Sequence, residues 1–130
     1  MLPTRTISVS IRRAHGEVYA FLSAPANFAR WAAGLGQGLR HDGAAWVADT
    51  PVGRVEITFS PTNAHGVVDH HVKLPGGAVV SVPLRVIQNE DGAEVVFTLF
   101  RQPDMTDADF ARDGDAITKD LATLKALLER

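Results

Sequence analysis

The stretch TDADFARDGDAITKDLATLKALLE, Thr106 to Glu129, decides the fold. Phe110, Gly114, Ile117, Leu121, Leu124 and Leu128 recur in it at alternating steps of four and three. That spacing predicts one long amphipathic helix with these residues on a single face. The opposite face carries Arg112, Asp113, Asp115, Lys119 and Asp120 and reads as wet. At about 1.5 Å per residue the helix spans roughly 36 Å, enough to cross a small domain. Such a stripe has to be covered, and a sheet must wrap it. Thr106 is the expected N-cap, with Asp109 completing an acidic capping box and Met105 and Phe110 forming a hydrophobic staple. Gly114 is the odd residue on the stripe. Inside a helix it costs about 1 kcal/mol against alanine. Its two readings are close helix–strand packing and room left for a ligand.

The rest of the chain supplies the sheet. Thr4 to Arg12 alternates Ile7, Val9 and Ile11 against Thr6, Ser8 and Ser10, the pattern of a half-buried strand. His15 to Leu22 has helical spacing, Pro25 opens a second short helix, and Phe28 and Trp31 share a face of it. Gly34 to Gly38 reads as a flexible loop, and no lysine follows to make it a phosphate loop. Ala45–Thr50, Val52–Ser60, Gly66–Leu74, Ala78–Gln88 and Glu94–Arg101 then alternate as strands joined by short turns. Short turns make the sheet antiparallel. Pro83 inside the fourth of these marks an edge or a bulge. The expected class is α+β: a curved antiparallel sheet of about six strands around a long C-terminal helix, with two short helices after the first strand.

At 130 residues, 45% hydrophobic and 22% charged, the chain has the size and composition of one globular domain, residues 1–130. A net charge of −2 without a basic run argues against nucleic acid as a partner. No apolar run reaches the ~18 residues of a membrane span. The first ten residues, MLPTRTISVS, lack a signal pattern, so the expected location is cytoplasmic. The chain has no cysteine, which excludes disulfides, thiol catalysis and thiolate metal sites.

Three stretches carry a resemblance. They are Glu17 to Trp31 (EVYAFLSAPANFARW), Gly66 to His70 (GVVDH) continuing through Leu74 to Gly77 (LPGG), and Val95 to Arg101 (VVFTLFR) running into the C-terminal helix. With the element order, they make the chain similar to the START-like superfamily, also called SRPBCC, of helix-grip fold. Within it the chain resembles small bacterial polyketide cyclase/dehydrase-type members. The superfamily includes lipid carriers, hormone receptors, aromatase/cyclases, oxygenase domains and co-chaperones. The resemblance therefore implies a hydrophobic pocket under the long helix and no transferable catalytic motif.

Several residues are candidates to shape such a pocket. Val55, Ile57, Phe59, Val68, His70 and Val82 are expected as strand-side walls, with Ile117 and Leu121 above. Trp31 and Trp46 line or cap it, Phe97 adds aromatic bulk, and Gly114 leaves space. The loop near Gly36 flanks the entrance. His70 shares its strand face with Val68, Val72 and Leu74, whereas Asp69 and His71 point the other way. The three cannot converge on a metal ion, so no metal or cofactor is expected. His70 has three readings: a core histidine bonded to backbone or tyrosine, a ligand contact, or an acid/base. Arg101 either meets an acidic ligand group or pairs with Asp104 or Asp107. The leading expectation is a binding domain for a small hydrophobic or aromatic ligand. The alternatives are a polyketide cyclase/dehydrase-like enzyme using His70 and a protein-interaction module.

Overall fold

The computed structural model describes residues 1–34 and 38–130. The loop reading at Gly36 lies outside the described residues. The elements run β1 (Thr4–Ile11), α1 (His15–Leu22), a 3₁₀ turn (Pro25–Asn27), α2 (Phe28–Trp31), β2 (Arg40–Asp42), β3 (Ala45–Thr50), β4 (Gly53–Phe59), β5 (His70–Lys73), β6 (Val79–Val82), β7 (Leu84–Asn89), β8 (Gly92–Phe100) and α3 (Asp107–Leu128). All strand pairs are antiparallel. They form a three-stranded sheet, β1-β8-β7, and a five-stranded sheet, β2-β3-β4-β5-β6.

The sheets part where two strands change partners together. Gly66 to Val68 runs beside β7, with Val68 N–H donating to Leu84 O at 2.8 Å and Val86 N–H to Gly66 O at 2.8 Å. After Asp69 the same chain pairs with β4 and β6 in the other sheet. Pro83 makes the matching break between β6 and β7. The two stretches expected as single strands, Gly66–Leu74 and Ala78–Gln88, therefore each turn a corner. Proline lacks the N–H a ladder needs, so a strand ends there at little cost. Asp69 braces the corner. Its carboxylate accepts Leu84 N–H at 2.9 Å and takes the Arg85 guanidinium in two bonds of 2.9 and 2.7 Å. Those bonds to Arg85 hold the Asp69 carboxyl below its ordinary range. Gly66 is required here: its φ is +71°, and a Cβ would come within 2.2 Å of Val86 O.

The principal core joins the three-stranded sheet to the helices. Ile7, Ile11, Val18, Leu22, Leu84 and Val95 pack with Leu121 and Leu124 of α3. Each fully buried aliphatic side chain contributes about 1.5–3 kcal/mol. A second cluster, Ala48, Val55, Ile57 and Val72, lies on the five-stranded sheet. The expected cap of α3 is present. Thr106 Oγ1 accepts Asp109 N–H at 3.1 Å, and Asp109 Oδ2 accepts Thr106 N–H at 3.0 Å. α3 packs along β1 and against α2. Gly114 faces Arg5 of β1: an added Cβ would meet Arg5 Nη1 at 2.1 Å and Cζ at 2.9 Å. The close-packing reading of Gly114 describes this contact, and the space there is filled by a guanidinium.

Candidate functional site

The corner at Asp69 puts His70 on the inner face of the five-stranded sheet, in register with Phe59 on one side and Val82 on the other. On α2, Phe28 and Trp31 are one turn apart, with ring centroids at 5.1 Å. Phe28 meets the His70 ring edge-on at 5.3 Å and the Phe59 ring at 5.5 Å. Phe59 reaches Trp46 at 6.3 Å, and Trp46 stacks on His41 at 4.9 Å. A chain of rings thus links α2 to the five-stranded sheet, and Trp31 and His70 form one side of a cavity.

That cavity has a volume of about 270 Å³. Phe28 and Trp31 of α2, Val82 of β6 and Phe97 and Leu99 of β8 supply apolar walls. Ile117, Ala116, Asp113 and Asp120 close it from α3. Their spacing of three, four and seven residues from Asp113 places them on one helical face. The volume lies between a benzene-sized cavity of ~150 Å³ and the ~300 Å³ lower bound of drug-sized pockets, which suits roughly one or two rings. An open groove of about 540 Å³ adjoins it along the five-stranded sheet, floored by Val55, Val72 and Val80, with Val82 and Asp113 bordering both spaces. A separate cleft of about 450 Å³ lies beside the β7–β8 turn. Two of its polar side chains, Ser10 and Asn89, are bonded to Glu94 beside it, and its lining is mostly polar.

The polar groups of the cavity are few. Trp31 is 5% exposed, and its indole N–H has no hydrogen-bond partner among the described residues. His70 is 3% exposed, and its Nδ1 lies 3.3 Å from Val68 O. A carbonyl can only accept, so Nδ1 carries the proton and Nε2 is left as an acceptor. Burial pushes the His70 pKa down, which keeps the ring neutral near neutral pH. Burial raises the pKa of both Asp113 and Asp120. Asp120 accepts Ala33 N–H at 3.2 Å. Asp113 has neither an ion pair nor a hydrogen bond among the described residues. The described residues hold no cluster of three metal-ligating side chains.

No protein-family model matches the sequence, and no curated protein matches it. Solved structures do. DynU16, a protein in the dynemicin biosynthetic locus, superposes with a TM-score of 0.71 at 17% identity over 97% of this chain. The chain spans about half of DynU16, 47%. The Aha1 dimer from Colwellia psychrerythraea gives 0.73 at 15% identity, covering 98% of this chain and 97% of that one. CalU16 from Micromonospora echinospora gives 0.67 at 12% identity over 95% and 73% of the two chains.

The fold is the START-like helix grip.

Of the sequence candidates, the helix grip brings Trp31, His70, Val82, Phe97 and Ile117 together at the cavity. Phe59 stands behind His70 in the ring cluster. Val55 floors the adjoining groove. Val68 and Leu121 are spent in the principal core and Ile57 in the second cluster, while Trp46 packs against His41 and Phe59. Gly114 does not line the cavity, because Arg5 occupies the space beside it. Arg101 is committed to the β8–α3 corner, where it pairs with Asp107 and donates to Met105 O at 3.0 Å. Phe97 shares its strand face with Leu99 on the cavity, which puts Phe100 on the other face. Sequence reasoning missed Phe28, Leu99, Ala116, Asp113 and Asp120 as wall residues. The signal available was the helical spacing of the last three beside Ile117, which the charge of the aspartates masked. The described residues contain no helix long and apolar enough to cross a membrane.

Proposed function

We propose that this chain binds a small hydrophobic or aromatic molecule in the cavity between the sheets and α3. The observation that carries this reading is the cavity of about 270 Å³ walled by Phe28, Trp31, Val82, Phe97 and Leu99, with His70 beside them. The walls suit the reading: ligand pockets are mostly apolar with a few polar groups that fix orientation.

The test is native mass spectrometry of the purified protein, with solvent extraction of any adduct, on the wild type and an Ala116→Phe variant. Ala116 is exposed and borders the cavity, so a phenyl ring there obstructs the entrance with little cost to folding. The expected result is a small-molecule adduct lost in the variant while its Tm stays within a few degrees of wild type. An adduct retained at full occupancy in the variant would place the ligand elsewhere.

A catalytic reading has one observation in its favour: a neutral histidine on the cavity wall with Nε2 available as a base. In that reading His70 would move a proton on a polyketide-like carbonyl compound. A His70→Gln variant that turned over such a substrate at the wild-type rate would remove this role.

A further inference from the structure

Among the described residues His70 is the only polar one that is buried, at 3% exposure. Phe28 meets its ring edge-on at 5.3 Å, and the Phe59 ring lies 5.6 Å away, tilted by 38°. Nδ1 is committed to Val68 O. The two nitrogens of an imidazole point in different directions, so Nε2 faces away from that carbonyl. It has no partner among the described residues, and it offers a lone pair. Nε2 is not sealed in. Among the described residues, the Trp31 indole nitrogen is the only unpartnered side-chain polar atom that a water-sized molecule cannot touch. Nε2 is therefore open, and the space that His70 borders is the cavity. The other polar side chains of the wall, Asp113 and Asp120, accept hydrogen bonds in their charged forms. The two side-chain N–H donors of the lining are out of a ligand's reach, Trp31 because it is sealed and His70 Nδ1 because Val68 takes it. The described side chains of the wall thus offer a ligand acceptors and no donor.

We infer that the ligand of this cavity carries a neutral hydroxyl, on a body of one or two rings, that donates to His70 Nε2. The inference rests on the binding reading above and adds to it the polarity of the ligand's head group. A ligand ketone, ether or carboxylate would give up its bonds to water and meet no side-chain donor in return. A carboxylate would also face Asp113 and Asp120. An ammonium donates too, but at Nε2 it would meet a neutral ring and lose its water, whereas a hydroxyl has less hydration to lose. The bond to Val68 O sets the tautomer, and burial, which lowers the His70 pKa, keeps Nε2 unprotonated near neutral pH. His70 thereby selects the head group, while the aromatic walls select the body.

Calorimetric titration with naphthol and with its methyl ether at neutral pH tests this, because the two share rings and an oxygen and only naphthol donates. Naphthol is expected to bind about fivefold tighter, the worth of one neutral hydrogen bond. His70→Phe keeps a ring beside Phe28 and Phe59 and removes the acceptor, so it should bring the ratio close to one. His71→Gln, exposed on the opposite strand face, should leave the ratio unchanged. Nitrogen NMR of the wild-type imidazoles is the second readout, and it decides the matter if His70→Phe does not fold. The His70 Nε2 resonance, assigned through its own backbone, should move upfield with naphthol and stay in place with the ether. Equal or tighter binding of the ether, an unchanged ratio in folded His70→Phe, or an Nε2 resonance that bound naphthol leaves unmoved would overturn the inference while leaving the pocket standing. If neither compound binds, the binding reading fails and takes the inference with it.

Discussion

Replacing Gly114 by alanine separates a space kept for a ligand from a space kept for Arg5. The added Cβ would lie 2.1 Å from Arg5 Nη1, 2.9 Å from Cζ and 3.2 Å from Cδ, so the Arg5 side chain has to move. The obstacle is the far end of a flexible side chain that is already 42% exposed, so swinging it into water is cheap. What is lost is a 3.9 Å contact to Asp115, whose side chain is 81% exposed. Exposed pairs of that kind are worth about 0–1 kcal/mol. Against this stands the helix propensity gained, about 1 kcal/mol for Gly→Ala in a helix interior. The net change is therefore a gain of about 0–1 kcal/mol in the wild-type background. In an Arg5→Ala background the obstacle is gone, and the gain should reach about 1 kcal/mol, roughly 3–5 °C in Tm for a chain of this size. Urea and thermal unfolding of the four proteins in the cycle give the coupling directly. A loss above about 1 kcal/mol in both backgrounds would mean that helix and strand backbones, not Arg5, need the glycine. Ligand binding should be unaffected throughout.

Three further outcomes follow from the corner and the cavity. Asp69→Ala should cost about 1–3 kcal/mol, because it strands the N–H of fully buried Leu84. Arg85→Ala should cost less than about 1 kcal/mol, since the guanidinium is half-exposed; equal losses in chemical denaturation would contradict this ordering. The His70 pKa is lowered in the folded state, so the unfolded chain takes up more protons as pH falls through the ordinary histidine value of about 6.5. Stability present above that pH should be lost below it, and His70→Gln should flatten this limb of a Tm–pH profile. Asp113 has the opposite sign: its folded pKa is raised, so its charge opposes folding at neutral pH. Asp113→Asn should raise Tm near neutrality, and the gain should vanish as the pH drops below the ordinary aspartate value of about 3.9. A Tm unchanged at neutral pH would show that Asp113 is well solvated.

The sequence carried the elements whose cause is local. Phe110 to Leu128 reads as a helix because its period is 3.6, and Thr106 caps it because its side chain reaches a backbone N–H three residues on. Pro83 was legible as an edge or a bulge but not as a change of sheet. Which sheet a strand joins depends on partners such as Leu84 and Gly66, whose pairing no alternation encodes. Gly114 shows the same limit from the other side. A local reading sees a missing side chain, whereas the reason is an arginine more than a hundred residues earlier in the chain. The inward faces of β4 to β6 were also legible. Which inward residues border the cavity is set by where the sheets diverge, so Val82 and His70 reach it while Ile57 remains in the second cluster.

That divergence also accounts for why there is a space to fill. The C-terminal half of α3 spends Leu121 and Leu124 on the principal core. Its N-terminal half presents Gly114 to Arg5 and turns Asp113, Ala116 and Ile117 toward the five-stranded sheet. The apolar face of that sheet is therefore bordered by two small or charged residues and one isoleucine, where a continuous leucine stripe would have closed it. Stability alone favours an apolar residue at Asp113, because a half-buried carboxylate with no ion pair or hydrogen bond among the described residues opposes folding. That cost falls on the wall of the cavity. The space left there forgoes apolar burial that a leucine would have supplied, and a ligand filling it would restore that burial.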